Sequence, residues 1–485
     1  MRQRFEGEPA LNVIPIEKIV LPLRSRDELA PILAGLQWIW CHPILRPEIL
    51  GLLERKIMAG LKPTGRTGMD LWQILVLGVV RLGLDANFDR LEDLSNHHML
   101  IRQMLGVPQT PWGAESQVFN HQTLRDNIAL FDEALLQEIN ALVAAQGRAV
   151  FKKNDRAALE HLAVKVDSYV LETDVHFPTD LNLLWDAGRK CVDLLESYRD
   201  TYDLAGWRKA KDWRRRLKSL ERSTSKVVFG GGKEKEKRQR QAVTEYLKVA
   251  RELSGKVRET ILDLYEQNVQ QDRLEYFQAM LDKQIDLVDR RLLQGQVIAA
   301  GEKIHSFFEP ETEWINKGKK HPSVELGHRL VIATDQHELV QGYGVPVGGV
   351  DVEQSIPMID LILGRYGEGQ IASASFDKGF TRAADRELLD LFIPVVVMPK
   401  RGRKNEVEAQ AERDRNFVGL RRQHSAVESD INSLEHHGLD RCLDVGLPAY
   451  LRYVGLGVLA YNLHVIGREL LGRTRARSEP LRAAA

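Results

Sequence analysis

The chain has 485 residues, 43% of them hydrophobic and 28% charged, with 68 Lys or Arg against 68 Asp or Glu. That length suits about three domains of ~150 residues each, and the composition excludes a disordered or fibrous chain. A formal net charge of zero excludes bulk attraction to a polyanion, so any affinity for nucleic acid has to come from local patches.

Cys41, Cys191 and Cys442 form no CxxC pair. This argues against a thiolate metal site or a disulfide framework and points to a reducing, cytoplasmic setting. The N-terminal MRQRFEGEPALNVIP has no apolar core of signal-peptide length. The most apolar stretches, 71–84 and 451–471, are interrupted by Gln73 and Arg81 and by Arg452, Asn462, His464 and Arg468. Neither offers the ~18 uninterrupted apolar residues of a membrane span. A soluble protein with no membrane partner is expected.

In chain order, residues 1–150 read as a helical domain. LRPEILGLLERKI, DLWQILVLGVVRLGL, DRLEDLSNHHMLIRQML and DEALLQEINALVAAQ carry apolar residues at three- and four-residue spacing, and Asn120 opens a further helix. Short helices of this kind suit a DNA-binding domain, and equally a plain helical bundle. LAVKVDSYVLE then alternates as a strand, with Val164, Val166 and Ser168 on one face and Lys165 and Asp167 on the other. It falls in a segment, 160–180, that begins a second domain.

Residues 181–305 return to helical texture as an insertion. One amphipathic segment covers 183–226 and a longer one 244–298, with FGGG and the run KEKEKRQRQ between them as a flexible joint. From 306 to 471 the chain is α/β, and 472–485 is a tail. Strands are expected at 328–334, 339–345, 370–376 and 393–399, and helices at 352–366, 381–392, 413–437 and 447–471. Restoring the strand at 163–170 to the front gives the order β, insertion, β, β, α, β, α, β, α. That is the ribonuclease H-like pattern, an α/β core with a mixed five-stranded sheet.

In that topology Asp167 lies on the central first strand and Asp377 at the C-terminal end of the fourth, neighbours in space although 210 residues apart. Glu428 follows 51 residues later on a helix whose apolar face is Val427, Ile431 and Leu434. Three crowded carboxylates repel one another. Two hard divalent cations would offset this, and oxygen ligands suit Mg²⁺, with Mn²⁺ as a substitute. Each acid also has a plain structural reading. Asp377-Lys-Gly379 suits a strand-end turn, and Ser425-Ala-Val-Glu428 suits a capping box. A carboxylate within a central strand, as at Asp167, is costly unless it is paired or metal-bound.

These residues carry a family likeness. The motifs VDSYVLETDVHFPTD (166–180), SFFEPETEWINKGK (306–319), SFDKGF (375–380), RRQHSAVESDINSLEHHGLDRC (421–442) and RYVGLGVLAYNLHVIG (452–467) resemble bacterial insertion-sequence DDE transposases, most closely the ISNCY-type group. The resemblance spans nearly the whole chain, and it maps the family's three acids onto Asp167, Asp377 and Glu428. It implies a ribonuclease H-like core, Mg²⁺ and recognition of terminal inverted repeats in double-stranded DNA. It also implies cleavage followed by transfer into target DNA, within a homodimer or larger synaptic assembly at the bacterial nucleoid. One departure is clear. Where many relatives carry Tyr-x2-Arg-x3-Glu-x6-Lys, this chain has Arg421, His424, Glu428 and Glu435. Roles assigned to that Tyr, Arg and Lys do not carry over, which leaves the route of strand cleavage open.

Candidate phosphate contacts lie in three basic runs. Between Arg208 and Arg240 there are fourteen Lys or Arg against four Asp or Glu, a local charge of +10 that includes Arg214, Arg215 and Arg216. A solvated helix face explains that run equally well. Lys400, Arg401, Arg403 and Lys404 follow a strand leading to the proposed site, and Lys378, Arg421 and Arg422 flank its acids. Lys317 and Lys319 are weaker candidates. Asp335 is the rival acid, although its place between two strands favours a turn. Asp174, Asp180 and Asp351 are further candidates, with Asp180 also suited to a helix cap. The pairs His97-His98 and His436-His437 diverge on a helix and are expected to face solvent, with His436 or His437 within reach of DNA. A structure-selective nuclease on the same core, and a catalytically silent DNA-binding regulator, are the alternatives to a transposase.

Overall fold

The computed structural model describes residues 12–59, 68–108, 117–151, 161–199, 201–202, 204, 206–316, 323–400 and 402–478. They form two compact units, one comprising 1–174 with 315–485 and the other 175–314.

Among the described residues the first unit opens with a short 3-10 turn (Ile16–Lys18) and seven α-helices: α1 (Leu29–Cys41), α2 (Leu45–Ile57), α3 (Leu71–Gly83), α4 (Phe88–His97), α5 (Met99–Met104), α6 (His121–Ile128) and α7 (Glu133–Phe151). The helix expected through 89–105 is broken at His98, whose backbone is extended. Beside the break, the Asn96 amide exchanges two hydrogen bonds with the backbone of Phe119, at 2.7 and 2.9 Å. Asn120 caps α6 by accepting from the Thr123 N–H.

β1 (Leu162–Thr173) follows, and the chain then leaves for the second unit. There the two expected helical segments are four helices: α8 (Asp180–Arg199), α9 (Ala210–Phe229), α10 (Lys235–Glu266) and α11 (Asp272–Val288). Their faces close on a core that includes Leu184, Cys191, Leu217, Leu247, Leu253 and Leu281. Trp207, fully buried, donates from Nε1 to the Thr260 hydroxyl and pins the α8–α9 connection against α10. The joint is shorter than expected. Most of KEKEKRQRQ belongs to the first turns of α10, so the turn is confined to Gly230–Glu234, where Glu234 takes a left-handed conformation.

Beyond the insertion come β2 (Glu313–Asn316), β3 (Val324–Thr334), β4 (Val340–Gly344), α12 (Ser355–Tyr366), β5 (Ile371–Phe376), α13 (Ala383–Phe392) and β6 (Val395–Val397). The helices α14 (Glu406–Ala411), α15 (Arg415–His424) and α16 (Ala426–Leu434), the strand β7 (Arg441–Cys442) and the helix α17 (Leu447–Ser478) complete the chain. The helix expected over 413–437 is therefore in pieces, ending in a π-turn at Glu435–Leu439.

The sheet is mixed and open, with seven strands. Its path is β2-β3-β1-β5-β6, with β4 also on β3 and β7 also on β1. β1 runs antiparallel to β3 and parallel to β5, β4 is antiparallel to β3, and β6 is parallel to β5. Two strands exceed the five expected. β2 and β7 have four and two residues, too few for alternation to mark them in a sequence.

Strand alternation decides which side chains meet which layer. Val164 and Val166 of β1 pack with Met358, Ile359 and Ile362 of α12 and Leu389 of α13. Tyr169 and Leu171 face the other way, into a core shared with α16, α17 and the N-terminal helices. α17 is buried continuously from Tyr453 to Leu463. This explains an apolar helix that is nevertheless too polar to cross a membrane; no described helix is long and apolar enough to do so. Its Asn462 replaces a neighbouring strand for β4. The Val340 N–H donates to Asn462 Oδ1 at 2.8 Å, and Asn462 Nδ2 donates to the Val340 carbonyl at 3.0 Å.

Glycine lets α1 and α17 touch. A Cβ on Gly467 would lie 1.8 Å from the Pro31 carbonyl oxygen, and one on Gly35 would lie 2.4 Å from that of Leu463. Gly467→Ala is therefore expected to destabilise the chain by about 1–3 kcal/mol through forced separation of the helices. Gly472→Ala, on the same helix but with nothing within 4 Å, should instead be neutral or stabilising by ~0.5–1 kcal/mol. Thermal denaturation of the two variants checks this, and equal effects would contradict the close-approach account.

Candidate active site

The parallel ladder between β1 and β5 ends at the pair Val166–Phe376. The next residue on each strand is an acid, so Asp167 and Asp377 are set side by side by register alone. β1 continues past this point, held by β3 through the pair Asp167–Ile332. β5 stops, and Asp377 caps a short 3-10 turn whose Phe380 is buried near Phe376. The capping contact is weak, since the Gly379 N–H reaches Asp377 Oδ2 only at 3.4 Å. The Asp377 side chain remains exposed.

Glu428 comes from α16, which lies over β1 with Val427 and Leu434 buried and Ile431 partly so. The capping-box reading of Glu428 does not apply. Ser425 is in helical conformation and makes no side-chain cap; its hydroxyl donates to the Arg422 carbonyl instead. Glu428 is exposed and open to a ligand.

A buried latch aligns these elements. Lys165, two residues before Asp167, donates from Nζ to Asp430 Oδ2 at 3.1 Å, and Asp430 lies two residues after Glu428. The Thr334 hydroxyl of β3 donates to the same oxygen at 2.7 Å. Both charged groups are almost fully buried. A lysine on the buried face of a central strand demands a counter-charge, which is a signal the sequence contained. The identity of Asp430 as that counter-charge was not readable from it.

The electrostatics fit a cation site. Burial, and then the charges of Asp377, Asp351 and Glu428, together push the Asp167 carboxyl up to about 7, against a favourable hydrogen bond from the Ser168 N–H. Four carboxylates thus share one field. Asp351, on the turn that leads into α12, is held by the Ser168 hydroxyl at 2.8 Å and by Arg329 at 3.4 Å. Of the further acids considered, it is the one that reaches the site. Asp335 does not. It is fully buried and accepts from the His337 and Leu339 N–H groups and from Gln341 Nε2, which is a turn-stabilising role. Asp174 pairs with Arg441 at 3.4 Å, and Asp180 opens α8 and pairs with Arg291 at 2.8 Å.

His424 is a second group that sequence reasoning did not place. Its Nδ1 lies 3.0 Å from the Ser375 hydroxyl, and its buried Nε2 has no hydrogen-bond partner among the described residues. Burial lowers its pKa, the Asp377 charge raises it and Lys165 lowers it, so the neutral ring lines the site between an acid and a cation. The only sequence signal was its position four residues before Glu428, one helical turn away.

The basic candidates divide into groups. Lys378 and Arg422 are exposed beside the acids, and Arg403 is exposed on the following loop. Lys400 is held by Glu408 at 2.6 Å, Lys404 by Glu412, and Arg421 approaches Glu412 at 3.9 Å, so α14 and its C-cap residue neutralise much of that run. In the second unit Arg214, Arg215 and Arg216 pair with Asp193, Asp212 and Glu252 at 3.2–3.3 Å. Exposed pairs of this kind hold by only ~0–1 kcal/mol, so a phosphate competes for them readily. Lys317, Lys319 and Arg401 lie outside the described residues. The histidine pairs also divide. His97 is exposed, but His437 is buried and turned away from solvent. The expectation that both pairs face water fails at His437 because the π-turn after α16 rotates it into the core.

No family model, no curated protein and no solved structure matches the chain. Its function therefore has to be read from the site itself.

Proposed function

We propose that the chain is a DDE transposase on a ribonuclease H-like core, with Asp167, Asp377 and Glu428 as its catalytic acids. The observation that carries the reading is the register that ends at Val166–Phe376 and sets two acids side by side beneath the helix bearing the third. The strand path β4-β3-β1-β5-β6, antiparallel on one side of β1 and parallel on the other, supports the core assignment.

The donor set is all carboxylate oxygen in a field that disfavours its own ionisation, and so fits hard divalent cations. Asp167, Asp377 and Glu428 would hold two Mg²⁺, for which Mn²⁺ would substitute. Such ions, when bound, make an attacking oxygen more nucleophilic and stabilise the leaving one. The chain's own groups position the DNA. Lys378 and Arg422 are suited to flanking phosphates, and the exposed arginines of α9 are by their own chemistry suited to phosphate contact. At an element end, a new P–O bond to water forms as the P–O3′ bond breaks, which leaves a 3′-OH. That hydroxyl then bonds to a target phosphorus as the target's own P–O3′ bond breaks. Element ends in duplex DNA and a homodimeric or larger assembly are the partners of this reading.

The test incubates the chain with labelled element ends, target DNA and Mg²⁺ or Mn²⁺. Joined products are expected from the wild type and none from Asp377→Ala or Glu428→Ala chains that still bind DNA. Cleavage without joining would favour a nuclease, binding without cleavage a regulator, and full joining by Asp377→Ala would overturn the assignment.

A further inference from the structure

Away from the carboxylates, three side chains that are distant in sequence converge within the first unit. They are Glu28, just before α1; His437, in the π-turn after α16; and His464, on α17. One potential ligand atom from each lies within 4.8 Å of the other two. His464 Nε2 is 2.6 Å from Glu28 Oε2, and the two imidazole centroids are 4.5 Å apart.

The surroundings prepare these rings for a metal. His437 Nδ1 sits 2.9 Å from the Gly83 carbonyl at the end of α3. A carbonyl only accepts, so Nδ1 carries the proton and Nε2 is left with the lone pair. A ring N–H anchored on a backbone carbonyl is the usual arrangement behind a metal-binding histidine. The anchor is itself held by geometry. His437 and Gly438 depart from helical dihedrals, and Gly438 is left-handed with the backbone of Leu82 and the carboxylate of Asp85 close by. His464 Nε2 carries the proton that the Glu28 carboxylate accepts, so one tautomeric shift frees that nitrogen for a metal. Arg468 is the cation facing this group, and Glu338 holds it at 2.5 Å. One buried and one partly buried imidazole in contact at one carboxylate make a poor hydrogen-bonding arrangement, because only one N–H–carboxylate bond results. They make a good ligand set.

We propose that Glu28, His437 and His464 bind one transition-metal ion of the zinc class, with three protein ligands and a fourth position for water. Nitrogen and carboxylate donors of this number suit Zn²⁺ and Co²⁺ and do not suit Mg²⁺. On binding, the Glu28–His464 hydrogen bond is exchanged for two metal–ligand bonds, and the His464 proton moves to Nδ1. The ion would join α1, α17 and the segment nine residues beyond Glu428. The helical N-terminal region would thereby be fastened to the end of the catalytic helix.

The test uses the full chain, made without a histidine tag and stripped with chelator, then titrated with Co²⁺ and Zn²⁺ in millimolar Mg²⁺ to occupy carboxylate sites. One equivalent of Co²⁺ is expected to give intense visible bands of a four-coordinate site, displaced by Zn²⁺, with a rise in melting temperature of roughly a few degrees. Glu28→Gln, an exposed change with little risk to folding, and His464→Gln should each weaken binding at least tenfold. His97→Gln and Asp377→Ala should leave it intact. Absent bands, bands unchanged in both Glu28→Gln and His464→Gln, or bands lost only in Asp377→Ala would each overturn the proposal. The carboxylate site enters only through that last control, so the outcome is independent of whether the chain joins DNA.

Discussion

Asp167→Asn is expected to abolish strand joining and, at the same time, to raise the melting temperature of the metal-free chain. The two effects share one cause. The Asp167 carboxyl is pushed up to about 7 by burial and by the charges of Asp377, Asp351 and Glu428, so its ionised form is uncomfortable until a cation arrives. Asparagine keeps the acceptor for the Ser168 N–H and removes the charge. The sign follows from linkage. The folded chain keeps the Asp167 proton between about pH 4 and 7, where the unfolded chain has lost it. This group's contribution to stability therefore declines as pH rises through that window and stays at its lowest above 7. Removing it should flatten the pH profile and stabilise the chain at pH 8 by about 2 kcal/mol. That is roughly half of what ~1.36 kcal/mol per pKa unit would give, because the carboxylate keeps some contact with solvent. Divalent-ion affinity of the wild type should fall about tenfold for each pH unit below 7, since the proton and the cation compete. Joining should drop by at least ~10²–10³-fold in the variant. Calorimetry in chelator from pH 5 to 8, with ion titrations at the same pH values, measures all of this. A variant that melts at or below the wild-type temperature at pH 8 would show that the carboxylate is not held against its neighbours.

The Lys165–Asp430 latch carries the second large effect. Asp430→Ala would strand a buried ammonium and the Thr334 hydroxyl, at an expected cost of ~3–5 kcal/mol. Replacing both ends, as in Lys165→Met with Asp430→Leu, should be close to neutral for stability, because the desolvation of both charges is removed together with their attraction. Activity should not follow stability. The latch ties β1 two residues before Asp167 to α16 two residues after Glu428, so without it the spacing between those acids is set by apolar packing alone. The double variant should fold and yet join DNA ~10–100-fold more slowly, the usual scale for losing a group that orients a metal ligand. Denaturant melts and joining rates on the three chains separate the two roles. A double variant as active as the wild type would make the latch purely structural.

Much of this architecture is legible in the sequence. Val164, Val166 and Val170 alternate on β1, and α2 runs over Leu45–Ile57 as its periodicity predicts. Asp167 stood out because a carboxylate in a central strand needs a partner. Less legible were the elements whose limits are set by partners distant in sequence. The break at His98, the four helices of the insertion and the two short strands β2 and β7 come from contacts made after the chain has folded back on itself. Likewise, the charge run at Lys400–Lys404 read as a phosphate surface, although Glu408 on α14 and Glu412 at its C-cap hold two of its lysines.

The sequence by itself determined the order of the longer elements, the faces of β1 and the three acids in their chain positions, because these follow from local periodicity and residue chemistry. Only the tertiary structure decided that Val166–Phe376 ends the ladder, that Asp351 and His424 join the site while Asp335 stays in its turn, and that Lys165 meets Asp430. It also decided that His437 turns inward to meet His464 and Glu28. Each of these depends on which distant groups share a low-dielectric space. No residue's own neighbours in the chain report that, because the energy of a buried charge or lone pair is set by what surrounds it in three dimensions.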